Sequence, residues 1–168
     1  MRIFIVGPMA SGKSTIGKRL AQKLNLQFID IDKEIEDRAG TDIPWIFEVE
    51  GEKGFRKREE KVLEESIKKS NVVISTGAGI VLSKSNRDLM IRSGKVIYLK
   101  ASLEIQLKRT QNDRSRPLLM DGNKEEVLKK LKKEREPIYE EISDLKIHQK
   151  NKKLKQVVEE ISNKLNNE

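Results

Sequence analysis

The sequence predicts an α/β fold of three layers, with a five-stranded parallel sheet held between helices. Three observations carry that expectation. Short apolar runs alternate with helical periodicity from end to end, the first run opens into a glycine-rich loop, and 168 residues suffice for one compact domain, 1–168, with a substantial core.

Taken in order, Arg2–Val6, Gln27–Ile31, Val72–Ser75, Val96–Leu99 and Leu145–His148 read as strands. The first, third and fourth are nearly continuous apolar runs, as parallel strands covered on both faces should be. Between them, Ile16, Leu20 and Leu24 share one helical face, as do Val62, Leu63 and Ile67. Leu154, Val157, Val158, Ile161 and Leu165 form a third stripe. Strands separated by helices imply right-handed crossovers. Two segments break the pattern. Residues 40–55, "GTDIPWIFEVEGEKGF", hold the single tryptophan and two of the four phenylalanines, and Trp45 is expected in the core. Residues 111–124, "QNDRSRPLLMDGNK", are polar and turn-rich, and a loop this long inside a compact domain reads as a lid, about 111–123.

Composition narrows the function. No apolar run approaches the ~20 residues of a membrane helix, and no signal-peptide pattern opens the chain. The chain has no cysteine, which excludes disulfides and thiolate metal sites, and its one histidine, His148, excludes a histidine cluster. A cytoplasmic monomer without membrane attachment is expected. The net charge of +8 comes from basic residues interleaved with acids, as in "KEEVLKKLKKERE". That pattern marks solvated helix faces rather than a nucleic-acid surface. It also suits an enzyme whose ligands are all anions.

The stretch "GPMASGKST", Gly7–Thr15, fits the phosphate-binding pattern G-x-x-x-x-G-K-[ST] at Gly7, Gly12, Lys13 and Ser14. Glycines let the backbone curl round a phosphate, so that the amides of the loop, including Ala10 and Ser11, face inward. The loop feeds a helix N-terminus, whose dipole favours anions. Lys13 would reach the β and γ phosphates, and the Ser14 hydroxyl would ligate Mg2+. A guanine-reading Asn-Lys-x-Asp is missing, and the chain is too short for the added domains of a motor. A small-molecule kinase therefore leads.

Such an enzyme needs an acceptor site. "FIDID" places Asp30 and Asp32 two apart at a strand's carboxyl end, where open α/β sheets bind ligands. One carboxylate would sit near Mg2+ while the other takes the proton of an attacking hydroxyl. Equally, Asp32 would simply cap the following helix. In "STGAGI", Ser75–Ile80, the glycines suit either a close approach to the backbone or a tight turn. Arg56, Arg116 and Arg135 suit planar grips on carboxylate or phosphate, although composition alone does not select them.

Together, "GPMASGKSTIGKRLA", "DIDKEIE", "GEKGFRKREE", "STGAGI", "RPLL" and "REPIYEEI" resemble the shikimate kinase family over essentially the whole length. The resemblance implies transfer of the ATP γ-phosphate to the 3-hydroxyl of shikimate, on the route to chorismate and the aromatic amino acids. It implies a nucleoside-monophosphate-kinase-like sheet of order 2-3-1-4-5, a helical acceptor-binding region about 32–60, and a mobile lid. By position, Lys13, Ser14 and Thr15 with the loop amides fall to ATP and Mg2+, and Asp30 near the metal. Asp32 becomes the general base. Arg56 and Arg135 hold the acceptor carboxylate, Gly77, Ala78 and Gly79 border the acceptor, and Phe47 and Phe55 line its pocket. Arg116 is the lid arginine, Arg109 packs by the nucleotide, and the loop His148–Lys153 covers adenine. Ala10 and Ala78 stand where the family usually has glycine. Ala78 is the position expected to matter, through a positive φ or a crowding methyl, because the general phosphate-loop pattern leaves Ala10 free. The alternatives are a gluconate or nucleoside-monophosphate kinase and, in a different class, a non-catalytic nucleotide-controlled RNA-binding module.

Overall fold

The computed structural model describes residues 1–120 and 122–167. Five parallel strands, β1 (Arg2–Val6), β2 (Gln27–Asp30), β3 (Val72–Ser75), β4 (Lys95–Lys100) and β5 (Leu145–His148), form one sheet in the order β2-β3-β1-β4-β5. Phe4 pairs in register with Ile74 and Val96, which fixes β1 at the centre. Seven α-helices among the described residues cover it: α1 (Lys13–Leu24), α2 (Ile31–Ala39), α3 (Ile43–Ser66), α4 (Lys84–Ser93), α5 (Leu103–Thr110), α6 (Lys124–Ile142) and α7 (Leu154–Asn166).

Strand alternation divides the core in two. Ile3 and Ile5 join Ile16 and Leu20 of α1 and Val157 and Ile161 of α7 on one face. Phe4 and Val6 join Ile35, Leu63, Met90 and Tyr139 on the other. Both sets are almost fully buried, so each β1 residue works for one layer only. No helix among the described residues is long and apolar enough to cross a membrane.

Two expectations need correcting. The second strand stops at Asp30 rather than Ile31, because the Asp30 carboxylate accepts from the Lys33 amide at 3.2 Å and caps α2. The helix-capping role considered for Asp32 thus belongs to Asp30, and Asp32 lies in the first turn. Trp45 is 54% exposed rather than buried. It lies on the outer side of α3, whose Ile46 faces the core.

The two pattern-breaking segments flank the carboxyl edge of the sheet. α3 is interrupted at Gly51 (φ 70°, ψ 177°), and Ile46 before the break packs in the same apolar layer as Ile35 of α2. Between α5 and α6 the expected lid carries a short 3-10 turn, Pro117–Leu119. Leu119 packs with Met9 and Leu128 in a third apolar cluster that also takes the methyl of Ala78. Asp121, inside the expected lid span, lies outside the described residues.

Candidate active site

The loop between β1 and α1 curls as its glycines permit, with Gly7 at φ 149° and Gly12 at φ 85°. Ala10 also takes a positive φ, 60°, whereas the positive-φ non-glycine residues described do not include Ala78. The expected backbone strain therefore falls on Ala10, reversing the sequence-based ranking. Lys13 lies 9% exposed, its Nζ donating to the carbonyls of Gly7 and Pro8 at 2.9 Å each. Burial lowers its ammonium to about 8, against the pull of Asp32.

The end of β2 meets the start of α1. The Ser14 hydroxyl donates to the Asp30 carboxylate and lies 3.4 Å from Ser75 Oγ. Hydroxyl and carboxylate oxygens converging at a phosphate loop are the hard donors Mg2+ selects, and one or two suffice when phosphates complete the shell. Among the described residues no cluster of three His, Cys, Asp or Glu offers an all-protein cage. The arrangement fits a nucleotide-borne magnesium ion.

Asp32 faces inward from α2. Burial raises its pKa, the neighbouring Asp30 charge raises it further, and Lys13, Arg116 and Arg56 oppose both. Its Oδ1 is buried without a hydrogen-bond partner among the described residues, as are Arg56 Nε, Glu59 Oε2 and Arg135 Nε. Arg56 Nη1 donates to Glu59 Oε1 at 2.9 Å, and Glu59 is fully buried. Sequence reading missed Glu59. The only available signal was its spacing of three from Arg56 on one helix face. Arg135, 5% exposed on α6, completes the basic wall.

Side-chain ends close tightly on Gly77 and Gly79. A Cβ at Gly77 would lie 2.6 Å from Glu59 Oε2 and 2.9 Å from Asp32 Oδ1, and one at Gly79 would lie 2.3 Å from Arg56 Nη2. Ala78 between them turns its side chain toward the lid cluster, and its carbonyl accepts from the Tyr139 hydroxyl. Phe55 is buried, Phe47 half-buried, and their ring centres are 4.9 Å apart.

Two adjoining cavities result. One, of about 460 Å³, is bordered by Ala10, Gly12, Lys13, Ser14, Thr15, Arg109, Gln149 and Lys152. The other is bordered by Phe47, Phe55, Arg56, Glu59, Gly77, Ala78, Gly79 and Arg135. Asp32 and Arg116 border both. Of the expected site residues, Gly7, Ser11 and Asp30 border neither cavity, Asp30 being reached through Ser14; the others border one or both. Gln149, in the loop expected to cover adenine, was the second residue missed, and nothing in its sequence context singled it out.

A phosphate cradle that shares a carboxylate and an arginine with an arginine-lined cavity defines the build of a P-loop phosphotransferase. The comparisons narrow this. A family model described as Shikimate kinase matches residues 9–166. Shikimate kinase 1 of Yersinia enterocolitica is 51% identical over 164 residues, 97% of this chain and 95% of its own. The solved shikimate kinase from Acinetobacter baumannii, in complex with shikimate, is 40% identical with a TM-score of 0.96, covering 99% of this chain and 93% of its own. A deoxyadenosine kinase from M. mycoides, 19% identical with a TM-score of 0.65, shares the fold. The chain belongs to the shikimate kinase family.

Proposed function

We infer that the protein transfers the γ-phosphate of ATP to the 3-hydroxyl of shikimate, giving shikimate 3-phosphate and ADP. Family membership supplies the substrate pair. The observation within the molecule that carries the reading is the sharing of Asp32 and Arg116 by the two cavities. A phosphoryl group moving from one cavity to the other passes between these two side chains.

The residues divide the work as follows. The loop amides of 7–15 and Lys13 bind the phosphates, and Arg109 borders the nucleotide. Ser14 and Asp30 would hold Mg2+, which when bound neutralises charge building on the transferred group. Arg56 and Arg135 grip the acceptor carboxylate, with the Phe47–Phe55 wall behind the ring and the 77–79 backbone alongside. Asp32 orients the acceptor hydroxyl and takes its proton, a task its raised pKa suits. Arg116 stabilises charge between the two sites, and closure of the lid at about 111–123 excludes water as a competing acceptor.

A monomer is part of this proposal. The need for ATP favours the cytoplasm. Neither nucleic acid nor membrane is required as a partner. ADP release measured with ATP, Mg2+ and a panel of shikimate, gluconate and nucleoside monophosphates tests the reading. Shikimate alone should accelerate it over the blank. Acceleration by another acceptor, or by none, overturns it.

A further inference from the structure

The phosphate loop is held from behind as well as by Lys13. Its consecutive carbonyls at 9, 10 and 11 each accept from a side chain of another element. Gln106 Nε2, on α5, reaches Met9 O at 3.1 Å. Arg109 Nη1, one turn further on, reaches Ala10 O at 2.9 Å, and Gln149 Nε2, after β5, reaches Ser11 O at 2.7 Å. Gln106 is 2% exposed, and its amide has been brought to a backbone carbonyl 97 positions away in sequence. Gln149 makes a second bond, to Lys100 O at 3.0 Å, so it ties the loop to the end of β4.

In a planar trans peptide the N–H points opposite to the C=O. Fixing the carbonyls of Met9, Ala10 and Ser11 outward therefore turns the next amides to the other side; the Ser11 amide donates to Pro8 O at 3.3 Å, which leaves those of Ala10 and Gly12 to face an anion. We propose that Gln106 and Gln149 are positioning residues for phosphate binding, acting through the loop carbonyls, Gln106 from behind the loop and Gln149 from the wall of the nucleotide cavity. Pre-set amides bind an anion without the ordering cost a free loop would bear. The need is acute here because Ala10, at φ 60°, sits in a region that an L-residue leaves readily unless held. Gln149 adds a link: it borders the large cavity together with Lys152 and Leu154, so order in the base-covering loop and order in the cradle are joined.

The inference rests on the kinase reading only in taking a nucleoside phosphate as the occupant. Its test therefore omits the acceptor. Calorimetric titration of Gln106→Leu and Gln149→Met with ADP and with inorganic tripolyphosphate, each with Mg2+, is compared with wild type, alongside thermal midpoints and shikimate affinity. Both variants should bind tripolyphosphate roughly three- to ten-fold more weakly, the worth of one hydrogen bond. Gln149→Met should lose more for ADP than for tripolyphosphate, and shikimate affinity should stay within two-fold. Tripolyphosphate affinity within two-fold of wild type in both variants overturns the proposal. So does a loss shared equally by shikimate, which would mark general loosening of the fold. Gln149 lies in a surface loop, so its variant decides the matter if Gln106→Leu fails to fold. A wild type that binds ADP but does not phosphorylate shikimate would defeat the kinase reading and leave this one standing.

Discussion

Arg56 donates to Glu59 at 2.9 Å, and this glutamate has no exposed surface. Burial raises the Glu59 carboxyl to about 7, with Arg56 opposing. The pair holds the guanidinium toward the acceptor cavity, so Glu59→Gln should raise the Michaelis constant for shikimate about ten-fold while leaving nucleotide affinity unchanged. The sign of the stability effect follows from the raised value. Between about 4.5 and 7 the folded chain keeps a proton that the unfolded chain has released, so stability falls as pH rises through that window. The drop is on the order of 3 kcal/mol if Glu59 acts alone. Denaturant unfolding at pH 4.5 and 7.5 should show Glu59→Gln gaining on wild type at the higher pH. A constant difference would separate Glu59 from the titration.

Asp32 borders both cavities, half-buried beside Lys13 and Arg116. Replacing it with Asn keeps shape and hydrogen bonding but removes the proton acceptor. Turnover should fall roughly 10²- to 10⁴-fold, with ADP affinity within a few-fold of wild type. Single-turnover rates with saturating ATP and shikimate measure this directly, and a normal rate would assign proton removal elsewhere.

How much of this was legible in the sequence varies with the range of the forces involved. The strands were, and so were the apolar faces of α1, α3 and α7, because β1 alternates Ile3 and Ile5 against Phe4 and Val6, and periodicity is local. The phosphate loop was legible too, since its residues are contiguous. Ile31 was misjudged as a strand residue because one hydrogen bond from the Lys33 amide to Asp30 decides where β2 ends. Trp45 was misjudged because an aromatic residue is apolar wherever it stands, and only the turn of α3 decides which side it faces. Glu59, Gln106 and Gln149 were invisible because their partners are set by packing: Gln149 reaches Ser11 across 138 positions. Ala10 was undervalued because φ is not written in a side chain.

That conformation yields its own test. An L-residue in the left-handed region costs about 1–2 kcal/mol, and Ala10 occupies it at φ 60°. Ala10→Gly removes the cost but loosens the unfolded chain by about 0.4–1 kcal/mol. The net should be a modest stabilisation, seen as a rise of a few degrees in the thermal midpoint. Ala78→Gly should give no such gain, since Ala78 is not at positive φ and its methyl packs with Met9 and Leu119. A rise at Ala78 with none at Ala10 would reverse the assignment.

Lys13 sets the last expectation. With its ammonium lowered to about 8 by burial, the ligand-free loop holds a lysine that is mostly charged at neutral pH and mostly neutral above pH 9. A bound phosphate chain brings negative charge within reach and restores the proton. ADP affinity should therefore be flat below about pH 8 and fall above it, by up to ten-fold per pH unit. Binding at pH 9 should take up close to one proton. Calorimetry in two buffers of different ionisation enthalpy counts that proton. In Lys13→Met the uptake should vanish along with most of the affinity. If wild type bound ADP at pH 9 without proton uptake, the buried ammonium would have kept its charge throughout, and the desolvation assigned to Lys13 would be wrong.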